Sequence, residues 1–592
     1  MLKRTHKCGE LRAEHIGATA TLNGWVTRTR DHGGILFIDV RDYSGVTQLV
    51  FDPDNDRSMY EMAEKLRHED VIAAQGEVVN RQSVNAKIPT GEVEVIVQKA
   101  ELLNKAETPP ILPDDPEGES AEERRLKFRY LDLRSARMQN TLRVRHRVTQ
   151  VMRSFLADRG FIEVETPFLC RSTPEGARDF LVPSRLTPGA FYALPQSPQI
   201  FKQILMAAGC DRYMQIVRCF RDEDPRADRQ AEFTQLDLEM SFVDESDVLE
   251  VVEGLFRQMW KEILGVEVGP FRRMSYSEAM EKYGIDRPDL RFGLELVDLS
   301  EAAKRTDFRV FTGALEAGGV VKAICAPGGA ALSRKQIDAL GEWAKQFGAG
   351  GLPFTKVTEN GLEGGVAKFL AEVSDEVVER TAAKPGDLLL FAADSFAVAS
   401  RVLGELRGRV ARELGLVKEG HWEFVWVLDF PLLEWNEDEQ RWDSPHHPFT
   451  APKPEDLDRL ESDPGTVSSR AYDLVLNGSE VAGGSIRIHQ PEVQSRVFRL
   501  LNIDDEQARA KFSFLLDALR YGCPPHGGIA FGLDRIVMHL VGTSNIRDVI
   551  AFPKTLTGQD LMSEAPSAVD EGQLKELHIR VHAPENASGE NR

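Results

Sequence analysis

Three observations predict an α+β chain of several domains. The first 104 residues carry five short alternating or apolar runs, with one helix-like stretch between the third and the fourth. Two regions dense in arginines, acids and aromatics flank a segment of different texture, 288–424, which is rich in Ala and Gly. The 592 residues are enough for several domains at about 100–200 residues each.

The runs ATLNGWVTRTR, GILFIDVRD, VTQLVFD, VIAAQGEVVNR and GEVEVIVQKAELL read as strands, and SMYEMAEKLRHE reads as a helix. Five strands with a central helix suit an N-terminal OB-fold β-barrel over 1–104. Such a barrel either binds single-stranded nucleic acid or only packs, and the runs alone do not choose. Residues 105–135 are Pro- and acid-rich (ETPPILPDDPEGESAEERR) and read as a hinge. RMQNTLRVRHRVTQVMRSFLADRG then gives an amphipathic helix, with Leu142, Val148, Val151, Met152, Phe155 and Leu156 near helical spacing and Gly160 as its cap. FIEVETPFL reads as a strand broken at Pro167. Residues 136–287 and 425–557 read as the two parts of one catalytic domain, and 288–424 as an α+β domain inserted into it. Residues 558–592 form a C-terminal extension whose end, ENASGENR, is expected to be disordered.

Hydrophobic content of 42% and charged content of 28% are those of a soluble globular protein. No apolar run approaches the ~18 residues that span a membrane, and MLKRTHKCGELRAEH lacks the apolar core of a signal peptide. The six cysteines include no CxxC pair, which points to a reducing compartment, the cytoplasm by default, and away from a structural zinc site. The net charge of −21 neither proves nor excludes an RNA partner, because a local basic face is what matters. Lys3, Arg4, Lys7, Arg12, Arg28 and Arg30 are concentrated at the start, while acids dominate further on.

The densest segment is FRDEDPRADRQAEFTQLDLEM, Phe220 to Met240. It interleaves Arg221, Glu223, Arg226, Arg229, Phe233, Asp237 and Glu239. Guanidinium groups clamp phosphate oxygens, an aromatic stacks on a base, and a carboxylate reads an amine. A salt-bridged hairpin is the competing reading of this segment alone. GGIAFGLDR, ending at Arg535, places a second arginine in a Gly-rich setting. The two together suggest a grip on a triphosphate.

With GFIEVETP before them and QSPQIFKQ and NGSEVAGGSIRIH between them, these segments resemble the three motifs of the class II aminoacyl-tRNA synthetases, most closely the bacterial-type aspartyl-tRNA synthetases. The resemblance covers essentially the whole chain in order. It implies an antiparallel-sheet catalytic domain and a ligase that uses ATP, Mg2+, L-aspartate and tRNA. Arg221 is then expected on the α-phosphate, where charge develops as the amino-acid carboxylate attacks. Asp222, Glu223 and Gln230 fall at ATP-contacting positions, with Glu223 accepting from the adenine amine or meeting the tRNA end. Phe233 stacks on adenine with Arg535 opposite. Gly532, Leu533, Asp534 and Arg535 line the nucleotide, with Arg535 on the γ-phosphate. Arg221 and Arg535 are the catalytic pair, and no protein nucleophile is required.

Asp473 and Glu480 are the candidate Mg2+ ligands. An Asn-Gly turn between them lets two adjacent strands bring them together, and a solvated hairpin is the alternative. Glu480 also counts among the ATP positions. Lys202 and Arg487 match positions for the aspartate side-chain carboxylate; two cations favour Asp over Asn. Gln199 and Asp237 are expected on the α-amino group and Glu175 in the loop over the site. His446 is expected near the substrate carboxylate, although sequence does not separate it from His447.

In the barrel, Phe37 is the candidate to stack an anticodon base, and Gln48 and Glu94 to read base edges. Phe37 lies in an alternating strand and could instead face the core. His32 matches the residue of relaxed family members that charge both aspartate and asparagine tRNAs. A second marker, Gly in a later loop, falls at Gln82 and departs from that pattern. The expected partners are therefore tRNA(Asp) and tRNA(Asn), with a strictly discriminating enzyme as the alternative. Asparaginyl- and lysyl-tRNA synthetases fit the cation pair less well. The barrel argues against a tRNA-free ligase, and the retained Arg221, Asp473, Glu480 and Arg535 argue against a non-catalytic RNA-binding paralogue. GFIEVETP implies a homodimer with Pro167 at the interface. No membrane partner is expected.

Overall fold

The computed structural model describes residues 1–113, 121–173 and 176–582. Most of the acidic stretch of the expected hinge, the loop residue Glu175 and the polar tail lie outside them. The chain divides into two compact units. One comprises Met1–Arg147, Asp224–Ala231 and Val537–Leu574, and the other Val148–Glu223, Glu232–Ile536 and Lys575–Arg592.

In the first unit, strands β1 (Thr19–His32), β2 (Ile35–Asp42), β3 (Gly45–Phe51), β4 (Val71–Asn80) and β5 (Val93–Asn104) close into a barrel in the order β1-β2-β3-β5-β4. Alternation builds it: Leu36, Ile38 and Val40 of β2 point into the core, and Phe37 and Asp39 face out, half-buried. The helix between β3 and β4, α1 (Arg57–Ala63), starts at Asp56, whose carboxylate accepts from the amides of Ser58 and Met59. It ends six residues before the expected Glu69. There the Asp70 carboxylate accepts from Arg67 N at 2.8 Å, and Glu69 takes a φ of +68°. Glu69 is only 3% exposed, and its carboxylate accepts from Arg41 and Arg134 at 2.7 Å each. Arg134 also lies over the Trp25 ring at 4.9 Å. This buried knot joins the barrel to the segment that follows it. Arg129, 2% exposed, then donates to the backbone carbonyls of Arg547, Ile550 and Ala551.

The amphipathic helix forms as α2 (Ala136–Ala157), and Gly160 takes a φ of +79° just after it. The expected strand at 161–169 is reduced to β6 (Ile162–Glu163), an edge strand with both residues exposed.

The second unit is built on an eight-stranded sheet. In chain order its other strands are β7 (Arg212–Phe220), β8 (Glu232–Ser241), β9 (Arg272–Ser275), β15 (Phe424–Leu428), β16 (Ala471–Leu476), β17 (Ser479–Ile486) and β18 (His526–Gly532). The spatial order is β9-β15-β16-β17-β18-β8-β7-β6, antiparallel except for the outermost pair at each edge. The helix Glu245–Leu264 buries Val252, Phe256 and Trp260. Phe256 and Trp260 pack with Phe271, Phe424 and Phe531 in an aromatic cluster, with Phe271 stacked on Phe424 at 4.4 Å.

Between β9 and β15 lies a five-stranded antiparallel sheet of β10 (Val297–Asp298), β11 (Val320–Ala326), β12 (Phe354–Thr358), β13 (Gly361–Glu363) and β14 (Leu388–Asp394), in the order β10-β11-β14-β12-β13. Its central strand is covered on both faces. Leu388 and Leu390 belong to one core and Leu389 and Phe391 to another, which is why the run LLLFAA does not alternate.

Replacing Glu69 by Ala removes the carboxylate that Arg41, 5% exposed, meets at 2.7 Å. Losing one member of a buried ion pair costs about 3–5 kcal/mol. Faster hydrogen exchange across the barrel strands of the E69A protein is the expected result, and unchanged protection would show the knot to be neutral.

Candidate active site

Strand β8 sets the floor of the site. Its sequence EFTQLDLEMS alternates Leu236, Leu238 and Met240 with Gln235, Asp237 and Glu239, so the two acids share one face. Both are fully buried. The helix α3 (Gln199–Ala207) brings Lys202, 1% exposed, to Asp237 Oδ1 at 2.7 Å and to Glu239 Oε2 at 3.5 Å. Arg487, 2% exposed and just past β17, forks onto Glu239 through Nε at 2.9 Å and Nη2 at 3.2 Å. Its Nη1 reaches Ser485 Oγ and His447 Nε2, at 2.7 Å each. Gly528 on β18 makes this arrangement possible, because a Cβ there would stand 2.0 Å from Glu239 Oε2.

Burial alone would push the Glu239 carboxyl up, but Arg487 and then Lys202 hold it below its ordinary value. For Asp237 burial wins, and its carboxyl is raised. The second oxygen, Asp237 Oδ2, is buried with no hydrogen-bond partner. Lys202 has three ammonium hydrogens and two carboxylate neighbours. Arg487 has five hydrogens, four of which face Glu239, Ser485 and His447. One donor is left on each side chain.

A cavity of about 580 Å³ opens over this floor. Gln199, Lys202, Arg221, Asp237, His446, Asp473, Glu480 and Arg487, all expected from sequence, line it. The hairpin β16–β17 turns on Asn477 and Gly478, with φ of +51° and +83°, the two-residue turn that Asn-Gly favours. It brings Asp473 and Glu480 to the same place. Gly483 pairs with Asp473 across the hairpin, and a Cβ there would lie 2.7 Å from Asp473 Oδ1 and 3.4 Å from Glu480 Oε1. The missing side chain leaves a hollow beside both carboxylates. The charge of Asp473, and then burial, push the Glu480 carboxyl up to about 7. Two repelling carboxylates around a small hollow fit a hard divalent cation that takes its remaining ligands from substrate oxygens and water.

The structure separates the two histidines. His447 accepts from Arg487 and is held well below its ordinary pKa, by burial first and then by the charge of Arg487. His446 lies 3.5 Å from Asp473 and edge-on to Phe430 at 4.7 Å. Burial opposes its protonation, but Asp473 and Glu480 together raise its pKa.

Other expected residues lie outside the lining. Phe233 is one of them, its ring 5.1 Å from the guanidinium of the lining residue Arg221. Asp222 pairs with Arg178 at 3.5 Å, and Glu223 N donates to Arg221 O at 3.0 Å. Arg535 donates to Glu480 O at 2.9 Å, which ties it to the carboxylate hairpin. Leu533 and Asp534 are buried, and Asp534 Oδ2 accepts from Thr234 N at 2.8 Å. Gly532 pairs with Gln235 in the sheet. In the other unit the Gln230 amide is held at both ends by the Lys554 backbone, at 2.8 and 3.1 Å.

On the barrel, Phe37, Gln48 and Glu94 fall on neighbouring strands. Gln48 donates to Glu94 Oε2 at 2.6 Å and accepts from Arg30 at 3.1 Å and Arg81 at 2.8 Å. Gln48 and Glu94 are buried by these partners, whereas Phe37 is half-buried. His32 and Gln82 are exposed beside turns.

Sequence reasoning missed Glu239 as a site residue, along with Asp286, Tyr276 and Glu434 of the lining and the roles of Gly483 and Gly528. The signal for Glu239 was present: two acids at i and i+2 in an otherwise apolar strand point to one buried polar face. Nothing local marks Asp286.

The chain belongs to the class II tRNA synthetases of the D, K and N group, whose family model matches residues 121–556. A model of the OB-fold nucleic acid binding domain matches residues 20–103. Among curated proteins it is 55% identical to the aspartate–tRNA(Asp/Asn) ligase of Geotalea uraniireducens, over 98% of each chain. It is 53% identical to the enzyme of the same name from Caldanaerobacter subterraneus, again over 98% of each chain. It is 52% identical to the aspartate–tRNA ligase of Macrococcus caseolyticus, over 98% of this chain and 99% of that one. The crystal structure of asparaginyl-tRNA synthetase from Pyrococcus horikoshii complexed with asparaginyl-adenylate shares the fold, with a TM-score of 0.60 at 20% identity, over 94% of this chain and 99% of that one. No helix among the described residues is long and apolar enough to cross a membrane.

The raised Glu480 carboxyl has a consequence for stability. Its folded pKa, about 7, exceeds its ordinary 4.5. The group's contribution is therefore fully present below about 4.5 and is lost as pH rises through about 7. Glu480→Gln mimics the protonated form, so it should raise the melting midpoint at about pH 8 and leave it nearly unchanged at about pH 4. Added Mg2+ should stabilise the unmodified protein more at the higher pH, and the variant little at either. Equal shifts at both pH values would show that the carboxylates do not repel.

Proposed function

We propose that the chain is an aspartate–tRNA ligase that charges both tRNA(Asp) and tRNA(Asn). It activates L-aspartate with ATP to aspartyl-adenylate, releases diphosphate, and transfers the aspartyl group to the 3′ end of the tRNA. The observation that carries this is one cavity joining the partnerless Asp237 oxygen and the spare donors of Lys202 and Arg487 to the Asp473–Gly483–Glu480 hollow.

The substrate ammonium meets Asp237 Oδ2 and Gln199. The remaining Lys202 and Arg487 hydrogens receive the side-chain carboxylate. Asparagine would turn an amide N–H toward those donors, so it is rejected by unpaired polar groups rather than by size. His446 and the loop residue Glu175 complete the amino-acid pocket. Arg221 takes the α-phosphate, where fixed positive charge stabilises the transition state more than the ground state. Phe233 stacks on adenine and Arg535 binds the γ-phosphate. Asp222, Glu223, Gln230 and residues Gly532–Asp534 complete the nucleotide set, Leu533 and Asp534 through their backbone. Asp473 and Glu480 would hold Mg2+, which supplies neutralising charge to the phosphates.

Residues 1–104 bind the anticodon through Phe37, Gln48 and Glu94, with Arg30 and Arg81 exchanging from Gln48 to RNA. The hinge at 105–135, the catalytic parts 136–287 and 425–557, the insertion 288–424 and the extension 558–592 keep the bounds read from sequence. Relaxed specificity rests on His32 and on the names of the Geotalea and Caldanaerobacter relatives. A cytoplasmic location rests on six free cysteines.

Aspartate-dependent ATP–pyrophosphate exchange should be present in the purified protein and should fall at least about 100-fold in Arg221→Ala, the scale of losing one transition-state donor. Purified tRNA(Asn) should be aspartylated. Charging of tRNA(Asp) alone would establish the discriminating reading that Gln82 favours. A homodimer is supported by exposed Ile162, Phe168 and Leu169 around Pro167. Light scattering should give twice the 66.2 kDa chain mass, and a monomer at micromolar concentration would remove this part of the reading.

A further inference from the structure

A line of buried polar groups runs behind the amino-acid pocket, none of them in contact with the expected substrate except the last. His526 opens β18 and is fully buried. Its Nδ1 lies 2.8 Å from the Pro524 carbonyl oxygen. A carbonyl only accepts, so Nδ1 carries the proton. In the neutral ring Nε2 is then an acceptor. The Gln203 amide nitrogen lies 3.3 Å from it and donates. Gln203 Oε1 in turn accepts from Gln199 Nε2, also at 3.3 Å. Gln199 and Gln203 are one helical turn apart on α3 and both are buried, so they face each other. Every link runs in one direction, and the Pro524 carbonyl sets that direction.

We propose that Gln203 and His526 are positioning residues for amino-acid recognition, holding the Gln199 amide with its nitrogen committed inward and its carbonyl oxygen offered to the substrate ammonium. The inference rests on the aspartate reading of the cavity and deepens it. Gln199 and Asp237 both line the cavity, and Asp237 Oδ2 is a buried oxygen without a hydrogen-bond partner among the described residues. Two acceptors then face a group that has only donors. A reversed Gln199 amide would present N–H to an ammonium, and the buried mismatch would weaken binding.

The relay needs a neutral imidazole. Burial is the largest influence on His526 and lowers its pKa. Glu239 on β8 favours the charged ring, and Arg487 and His489 beyond β17 disfavour it. Cys523 Sγ lies 3.7 Å from Nδ1 and brings no charge of its own, because burial raises its thiol. A doubly protonated ring would donate from both nitrogens, turn the Gln203 amide over and, through it, Gln199.

Gln203→Met keeps the side-chain volume and removes both hydrogen bonds. Gln203→Glu keeps an acceptor for Gln199. Succinate is aspartate without the ammonium, so it reports the pocket apart from this contact. In ATP–pyrophosphate exchange, Q203M should raise the KM for aspartate about tenfold, the usual weight of one hydrogen bond to a charged group. Its KM for ATP and its Ki for succinate should stay within about twofold, which also shows an intact fold. Q203E should recover most of the aspartate KM. A parallel rise for aspartate and succinate, or an unchanged aspartate KM, overturns the relay. Absence of aspartate-dependent exchange in the unmodified protein overturns the functional reading beneath it.

Discussion

Four charges buried under the cavity constrain everything built above them. Lys202, Asp237, Glu239 and Arg487 come from α3, β8 and the end of β17, and each is at most 2% exposed. Their sum is neutral, so the low-dielectric floor carries no net charge. The desolvation of such a set is repaid only when the geometry is good and the remaining hydrogens are satisfied. Glu239 meets that condition by facing both cations, and Arg487 meets it for four of its five hydrogens through Glu239, Ser485 and His447. Asp237 does not, because one oxygen has no partner. The floor is therefore complete except at Asp237 Oδ2 and at the one donor left on each of Lys202 and Arg487.

The sheet supplies the rigidity that this requires. Strands β17, β18 and β8 are adjacent, and their close approach depends on absent side chains. A Cβ at Gly528 would enter Glu239, and one at Gly484 would lie 2.2 Å from Gly528 O. Glycine here is needed for room rather than for flexibility. The opposite face is closed by the Phe256–Trp260–Phe424 aromatic cluster. Polar recognition on one face and apolar packing on the other follow from the two-residue period of the strands.

A second electrostatic device works in the opposite sense. Asp473 and Glu480 repel each other and leave a hollow at Gly483. Where the floor is neutralised by the protein itself, the hairpin is left with excess negative charge that a metal can neutralise. Arg535 is fixed to the same hairpin through the Glu480 carbonyl.

Much of this was legible in the chain. The five alternating runs determined a barrel, because alternation fixes which face is buried, and the Asn-Gly pair determined the turn that joins Asp473 to Glu480. The resemblance carried by the motif residues pointed to the family to which the chain belongs. The order of strands in the central sheet, the pairing of Glu239 with both Lys202 and Arg487, the separate environments of His446 and His447, and the direction of the Pro524–His526–Gln203–Gln199 line were decided only by the tertiary structure. These depend on contacts between residues tens to hundreds of positions apart, and a local pattern carries no information about which distant donor meets which acceptor.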